Sequence, residues 1–167
     1  MKRICAWCRN EMPSAGAEQD SSAMVTHGIC AACEARLFPQ DAISLQQALE
    51  KMDVPILLLE SDVVTVTGNR RARELLGRTL SEIRGVKGGE LIRCVNSAGP
   101  GGCGRSEHCA GCVIRETVQT TYATGRPFFG LVVEKDVETP AGVKSLKLRI
   151  STQKIGPAVF LSIDEAG

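Results

Sequence analysis

Cysteine is the residue type in this chain that could do the most chemistry, with eight copies among 167 residues. The cysteines form two groups of four. The first group is Cys5, Cys8, Cys30 and Cys33, and the second is Cys94, Cys103, Cys109 and Cys112. In a reducing compartment thiols seldom form structural disulfides, so two groups of four predict two metal sites. Burial of the thiols as small apolar side chains is the alternative, but it fits scattered cysteines better than paired ones.

The first group consists of two C-x-x-C pairs, separated by the 21 residues between Cys8 and Cys30. The two-residue gap lets both sulfurs of a pair face one ion, as in a zinc knuckle. Four thiolates leave no open position for water, which predicts a structural zinc site that stabilises a small segment. His27 is an alternative ligand, and Trp7 is predicted to pack against the knuckle.

The second group has the spacing C-x8-C-x5-C-x2-C. Cys109 and Cys112 stand just before a predicted helix, where the helix dipole favours thiolates. The spacing leaves three possibilities open: a zinc site, an iron–sulfur cluster, or thiols that form disulfides on oxidation without a metal. His108 could replace one cysteine as a ligand.

Composition and missing motifs exclude several function classes. Twenty Lys and Arg stand against nineteen Asp and Glu, which argues against a nucleic-acid binder. No apolar run approaches the roughly 20 residues that cross a bilayer, and no signal peptide is recognisable, so we expect a cytosolic protein without membrane contact. The chain lacks G-x-S-x-G, H-E-x-x-H and Walker motifs and has only two histidines, so we expect no enzyme activity.

The elements that must position the cysteines divide at about residue 40. Residues 1–40 form the predicted metal-binding segment, with a loop over 10–26, a knuckle and short helix over 27–37, and a break at Phe38-Pro39. Residues 41–167 form a second domain, which carries the cysteine-rich insertion at 88–112. Its patterns predict helices over 41–52 (capped by Asp41), 69–76, 79–85 and 113–124, and strands over 54–60, 62–67, 128–137, 143–153 and 157–163. This order predicts an α+β fold with a five-stranded antiparallel sheet and helices on one face.

The same patterns predict which side chains face inward. Two helices should turn these residues toward the sheet: Ala72, Leu75, Leu76, Val113, Thr117, Val118 and Thr121. Tight packing of the space between sheet and helices by Ile56, Leu58, Phe128, Leu131 and Val133 would argue against a small-molecule pocket there.

Residues 41–165 resemble a PAS domain. The resemblance rests on residues 64–85, where a strand ends at Asn69, a helix ends at Gly77, and a short helix ends at Gly85. Asn69 is predicted to cap the following helix. Residues 88–112 resemble a cysteine-bearing PAS variant of bacterial signalling proteins. The resemblance implies a sensory and dimerisation module that binds small ligands or cofactors between sheet and helices.

These observations favour a signal-sensing protein with a metal or redox site at the second cysteine group. A change there would shift the helix that follows, and a protein partner such as a kinase or regulator would detect it. The sheet face and the 41–52 helix are the expected homodimer surface. The alternatives are a structural adaptor with two inert zinc sites, and a small-molecule receptor, against which tight packing of the pocket would argue.

Overall fold

The computed structural model describes residues 1–13, 24–37 and 42–165. Its strands are β1 (Lys2–Cys5), β2 (Val25–Gly28), β3 (Ile56–Leu59), β4 (Thr65–Gly68), β5 (Phe128–Thr139), β6 (Gly142–Ile155) and β7 (Ala158–Glu165). Its helices are α1 (Ala31–Leu37), α2 (Ala42–Glu50), α3 (Arg70–Leu76), α4 (Leu80–Ile83), α5 (Gly88–Leu91) and α6 (Val113–Thr124). Two 3-10 turns, Val95–Ser97 and Glu107–Cys109, lie in the cysteine-rich insertion.

The main sheet has five strands in the order β4-β3-β7-β6-β5, and all neighbours are antiparallel. This confirms the predicted fold class. Strand β1 was not predicted, and Val25 and Thr26 of β2 were predicted to lie in a loop. Strands of four residues leave too short a pattern to recognise. The predicted break at Phe38-Pro39, the cap at Asp41 and the boundary at residue 40 lie outside the described residues.

Helices α3 to α6 lie over one side of this sheet, which we call the inner face. Its core includes Leu57 and Leu59 of β3, Ile150 of β6 and Val118 of α6. The predicted inner residues Ala72, Thr117, Val118 and Thr121 are buried and Leu76 is partly buried there. Leu75 and Val113 are each 43% exposed, so those two predictions are wrong, and Ile114 packs inward instead of Val113.

The opposite side, which we call the outer face, is covered by α2 and by the N-terminal segment. Ile56 and Leu58 point to this face, so they do not fill the space between the sheet and helices α3 to α6. All four residues of β3 are buried, and a strand without polar alternation does not reveal which side chains face which layer. Leu131 and Val133 do pack on the inner face.

The caps predicted from residues 69–85 are confirmed. Asn69 is fully buried and its side-chain oxygen accepts from the Ala72 N–H at 3.0 Å, which caps α3. Gly77 ends α3 in the left-handed conformation with φ of 61°, where a side chain would be strained. Glu82 accepts from the Thr79 N–H at 2.7 Å, as a capping box requires.

No helix in the described part of the chain is both long and apolar enough to cross a membrane.

Candidate functional sites: a four-cysteine cluster and a cysteine-lined cavity

The structure brings the first four cysteines together. The Sγ atoms of Cys5, Cys8, Cys30 and Cys33 all lie within 4.8 Å of one another. Cys5 and Cys8 flank a tight turn in which the Arg9 N–H donates to the Cys5 carbonyl at 2.9 Å. Cys30 precedes α1 and Cys33 lies in its first turn, where its N–H donates to the Cys30 carbonyl. The two C-x-x-C pairs thus face each other from a turn and a helix start.

These sulfurs fit one tetrahedral metal ion. A thiolate lies about 2.3 Å from zinc, so two ligand sulfurs of a tetrahedral site are about 3.8 Å apart. The Sγ atoms of Cys8 and Cys30 are 3.9 Å apart. The Cys30 N–H also points at the Cys5 Sγ at 3.5 Å, the kind of backbone bond that stabilises a ligating thiolate. The donor set therefore matches a four-thiolate metal site.

The two buried thiols of this cluster, Cys5 and Cys33, differ in the direction in which their pKa is shifted. Burial raises the pKa of Cys5, but backbone N–H groups of Cys30, Cys8 and Trp7 outweigh it and lower that pKa to about 7. At Cys33 burial and the neighbouring sulfurs both raise the pKa. A bound metal ion would remove this difference, because its positive charge favours the thiolate form at every ligand.

His27 is not drawn into this cluster. Its Nδ1 lies 2.7 Å from Asp164 Oδ1 in β7, so the ring connects β2 to the main sheet. The alternative in which His27 replaces a cysteine ligand has no support in this arrangement. Trp7 packs against the core beneath the cluster, as predicted.

The second four cysteines line a cavity on the inner face. The cavity has a volume of about 60 Å³ and a mostly apolar lining. Apolar side chains of the sheet form its floor: Leu57, Leu59, Leu148, Ile150, Leu161 and Ile163. The lining also includes Cys94, Cys103, Cys109 and Cys112. Since a water-sized group needs about 10–15 Å³, this space admits only a few non-hydrogen atoms.

Each of these cysteines is held by a different piece of the insertion. The Cys94 N–H donates to the Gly89 carbonyl at 2.8 Å, and Cys94 bridges to Val137 of β5. Cys109 ends the second 3-10 turn, and Cys112 is the N-cap of α6. Residues up to 18 positions apart therefore line one cavity, directly before the long helix of the inner face.

The two groups differ in how tightly their sulfurs are gathered. Among residues 1–13, 24–37 and 42–165, only the first group brings three or more potential ligand atoms together closely enough to hold a metal. In the second group, burial raises the pKa of Cys103, and the nearby Cys109 and Cys112 raise it further. His108, the other proposed ligand, lines the cavity, but its side chain is 68% exposed.

An ion-pair network, which the sequence did not reveal, lies beside the cysteine-lined cavity. Asp62, in the turn between β3 and β4, accepts from Lys87 Nζ at 2.5 Å and from Arg115 Nη2 of α6 at 2.8 Å. Lys87 Nζ also donates to the Cys103 carbonyl at 3.2 Å. One carboxylate thus connects the sheet, the insertion and the first turns of α6.

The network predicts a specific pH dependence for stability. Lys87 and Arg115 lower the pKa of Asp62 in the folded chain, so its contribution is present above the unfolded pKa of about 3.9 and is lost as pH falls through the lower folded value. Asp62→Asn should therefore reduce the unfolding free energy at pH 7 by about 1 kcal/mol or less, since the pair is partly exposed. Urea unfolding between pH 7 and pH 2 checks this: the difference from wild type should shrink in acid, and a constant difference would contradict it.

Gly89 makes a second prediction, because it lies against the Cys103 thiol. A Cβ at residue 89 would come within 2.7 Å of the Cys103 Sγ. Gly89→Ala should displace this thiol and cost about 1–3 kcal/mol of stability through overpacking. Alkylation rates of Cys103, followed by mass spectrometry, should rise. Gly99→Ala is the matched control, since a Cβ there meets no atom within 4 Å; equal effects of the two variants would disprove the contact.

Comparison with known proteins identifies the fold. No protein-family model matches the chain, and no curated protein matches it. Among solved structures, it is similar to the PAS domain of nitrogen regulation protein NR(II) from Vibrio parahaemolyticus, with 12% identity and a TM-score of 0.50 over 73% of this chain and 97% of that one. It is also similar to a Rhodobacter sphaeroides LOV protein, with 14% identity and a TM-score of 0.51 over 83% of this chain and 69% of that one.

Proposed function

Since the chain has the fold of PAS sensor domains, we propose that it senses redox state through the thiols of Cys94, Cys103, Cys109 and Cys112. The observation that supports this most strongly is that all four cysteines line one cavity, and that Cys112 stands at the start of α6. The cavity admits only a few atoms, which favours chemistry at the thiols over capture of a large cofactor. The sulfurs are also less closely gathered than those of the first group, which is unfavourable for a second four-ligand metal site, whereas a disulfide needs only two of them.

The proposed reaction is disulfide formation between Cys112 and Cys103. Cys112 is partly exposed at the N-cap of α6, so a small oxidant can reach its sulfur. The thiolate attacks hydrogen peroxide, and with one proton gives a sulfenic acid and water. The Cys103 thiol then attacks the sulfenic sulfur, which forms the disulfide and releases a second water. The two thiols together lose two electrons, and the peroxide gains them.

The output of this reaction is movement of α6. A disulfide from Cys112 to Cys103 pulls the first turn of α6 toward the insertion and disturbs the Arg115–Asp62 pair next to it. Thr121 Oγ1 lies 2.8 Å from Thr152 Oγ1 of β6, and Val118 is fully buried against the sheet. Because α6 packs rigidly on the sheet, its displacement also shifts strands β5 and β6. A partner protein detects this shift.

The experiment combines metal content with disulfide mapping. Protein purified without oxygen should contain about one zinc per chain, held by the first group, and should not absorb visible light. Peroxide should then give a Cys103–Cys112 disulfide by mass spectrometry. Cys103→Ser should abolish it, whereas Ala110→Ser, an exposed position in the same loop, should leave it intact. About four iron atoms per chain, or two zinc ions that persist through oxidation, would refute the thiol switch and favour a cluster sensor or an adaptor with inert sites.

Partner contact and a homodimer are part of the same proposal. The N-terminal segment and α2 cover the central strands of the outer face, so a dimer would use the edge strand β5 and its neighbour β6. Val132 and Val143 are 49% and 67% exposed there. We place the protein in the cytosol, as a signalling module without catalytic activity of its own. Light scattering of Val143→Asp against wild type checks the dimer: a monomeric wild type would refute it.

A further inference from the structure

The first cysteine group and the outer face of the sheet share one hydrophobic core. Cys5 and Cys33 are 0% and 5% exposed, and their burial comes from contact with the main sheet as well as with each other. The same buried cluster contains Ile29, Met52, Ile155 and Phe160. Two of the four thiols that would hold the metal are therefore also core residues of the outer face.

A set of polar contacts, which we call the β2 clasp, fixes the segment to β6 and β7. Gln153 accepts from the Ile29 N–H at 3.0 Å and donates to the Ile29 carbonyl at 2.8 Å, as a neighbouring strand would. Asp164 accepts from Thr26 Oγ1 at 3.1 Å and bonds His27 Nδ1 at 2.7 Å. All these groups are buried or partly buried. If β2 left the sheet, the groups would lose these partners and be exposed to water.

The segment has little else to keep it folded. Strands β1 and β2 have four residues each, and an isolated two-stranded sheet is at best marginal in water. The docked position therefore depends on contacts with the rest of the chain, chiefly the shared core and the clasp, and on the ion that would link Cys5 and Cys8 to Cys30 and Cys33. Cys8 is exposed and Cys30 is partly exposed, so one side of the site is open to solvent and to competing chelators.

We infer that the four-cysteine site is a metal-dependent latch, which keeps the N-terminal segment on the outer face of the sheet while zinc is bound. Loss of the ion leaves the buried Cys5 and Cys33 thiols without a common partner and separates α1 from the knuckle turn. The segment then leaves the sheet and exposes an apolar face around Ile155 and Phe160. Metal occupancy is thus a second input, separate from the thiols of the cavity.

Linkage gives this inference a test away from the metal. If zinc stabilises the docked segment, then docking strengthens zinc binding by the same factor. Asp164→Ala touches no cysteine but removes two contacts of the clasp, so it should weaken zinc affinity about tenfold in a chelator competition. Glu134→Ala, on an exposed pair of β5, is the control and should leave the affinity unchanged.

Exposure of the outer face can be measured directly by 19F NMR on the full chain labelled with 4-fluorophenylalanine. The chain has four phenylalanines, and Phe160→Leu assigns the signal of Phe160. Removing Zn²⁺ under reducing conditions should shift this signal and give it a solvent isotope effect. A 3-fluorotyrosine signal from Tyr122 on α6 should stay in place. The latch is refuted if Phe160 stays buried without zinc, if Tyr122 shifts with it, or if Asp164→Ala binds zinc like wild type; the thiol switch would survive each result.

Discussion

Replacing Asn69 with alanine should lower the free energy of unfolding by about 3–5 kcal/mol. The side chain is fully buried and uses both its oxygen and its nitrogen. Its oxygen accepts from the N–H groups of Ile56 and Ala72, both at 3.0 Å. Its nitrogen donates to the carbonyls of Met52 and Val54, at 3.1 and 2.8 Å. Alanine leaves four backbone groups without this partner, and each unsatisfied buried group costs about 1–3 kcal/mol before relaxation.

Urea unfolding of the metal-loaded protein measures this effect. Asn96→Ala is the matched control, because Asn96 is partly exposed and lies in a 3-10 turn of the insertion. It should cost about 0.5 kcal/mol or less, as most changes at such positions do. If Asn69→Ala were as mild as the control, the side chain would not be the link between the α2–β3 connection, β3 and α3 that the contacts indicate.

Replacing Cys5 with serine should weaken zinc binding on the order of 100- to 1,000-fold, since a four-ligand site contributes about 10–16 kcal/mol in all. It should also destabilise the fold, because the Cys5 Sγ is buried in the core of the outer face and accepts from the Cys30 N–H. A serine oxygen is a poor replacement in that apolar surrounding.

Cys8→Ser is the matched comparison for Cys5→Ser. It removes one ligand from the same ion, but the Cys8 side chain is exposed and contributes little to the core. Both variants should therefore lose zinc affinity in a chelator competition, while thermal unfolding of the zinc-saturated proteins should separate them. Equal stability of the zinc-saturated variants would show that Cys5 acts as a ligand only and is no part of the core.

Much of the fold could be predicted from local signals in the sequence. Asn69 and Gly77 each perform the capping role that their residue types favour, because caps depend on neighbours within a few positions. The orientation of β3 could not be predicted, because Ile56 to Leu59 are buried on both faces and no polar residue marks one side. The exposure of Leu75 and Val113, which lie near the ends of their helices, could not be predicted either.

That the first cysteine group forms a close cluster could be predicted from the sequence. The residues that surround the two groups in the fold could not. The C-x-x-C spacing indicates a metal site by itself, and the four sulfurs do meet. The docking of the segment on the outer face depends on Gln153 and Asp164, more than 120 residues away in sequence. The bond from Asp62 to Arg115 spans 53 residues in the same way. Such long-range pairs leave no periodic or spacing signal in one sequence.

The most direct test of redox sensing is a titration of the full, zinc-loaded chain against thiol–disulfide buffers, followed by 19F NMR of 3-fluorotyrosine. Tyr122 is the single tyrosine of the chain and packs from α6 against the inner core. We expect two Tyr122 signals that exchange populations with a two-electron midpoint above about −300 mV, where cellular thiol pools act. Cys103→Ser should keep the reduced signal throughout. A Tyr122 signal that stays unchanged while the cavity thiols are oxidised would contradict the proposal that α6 transmits their state.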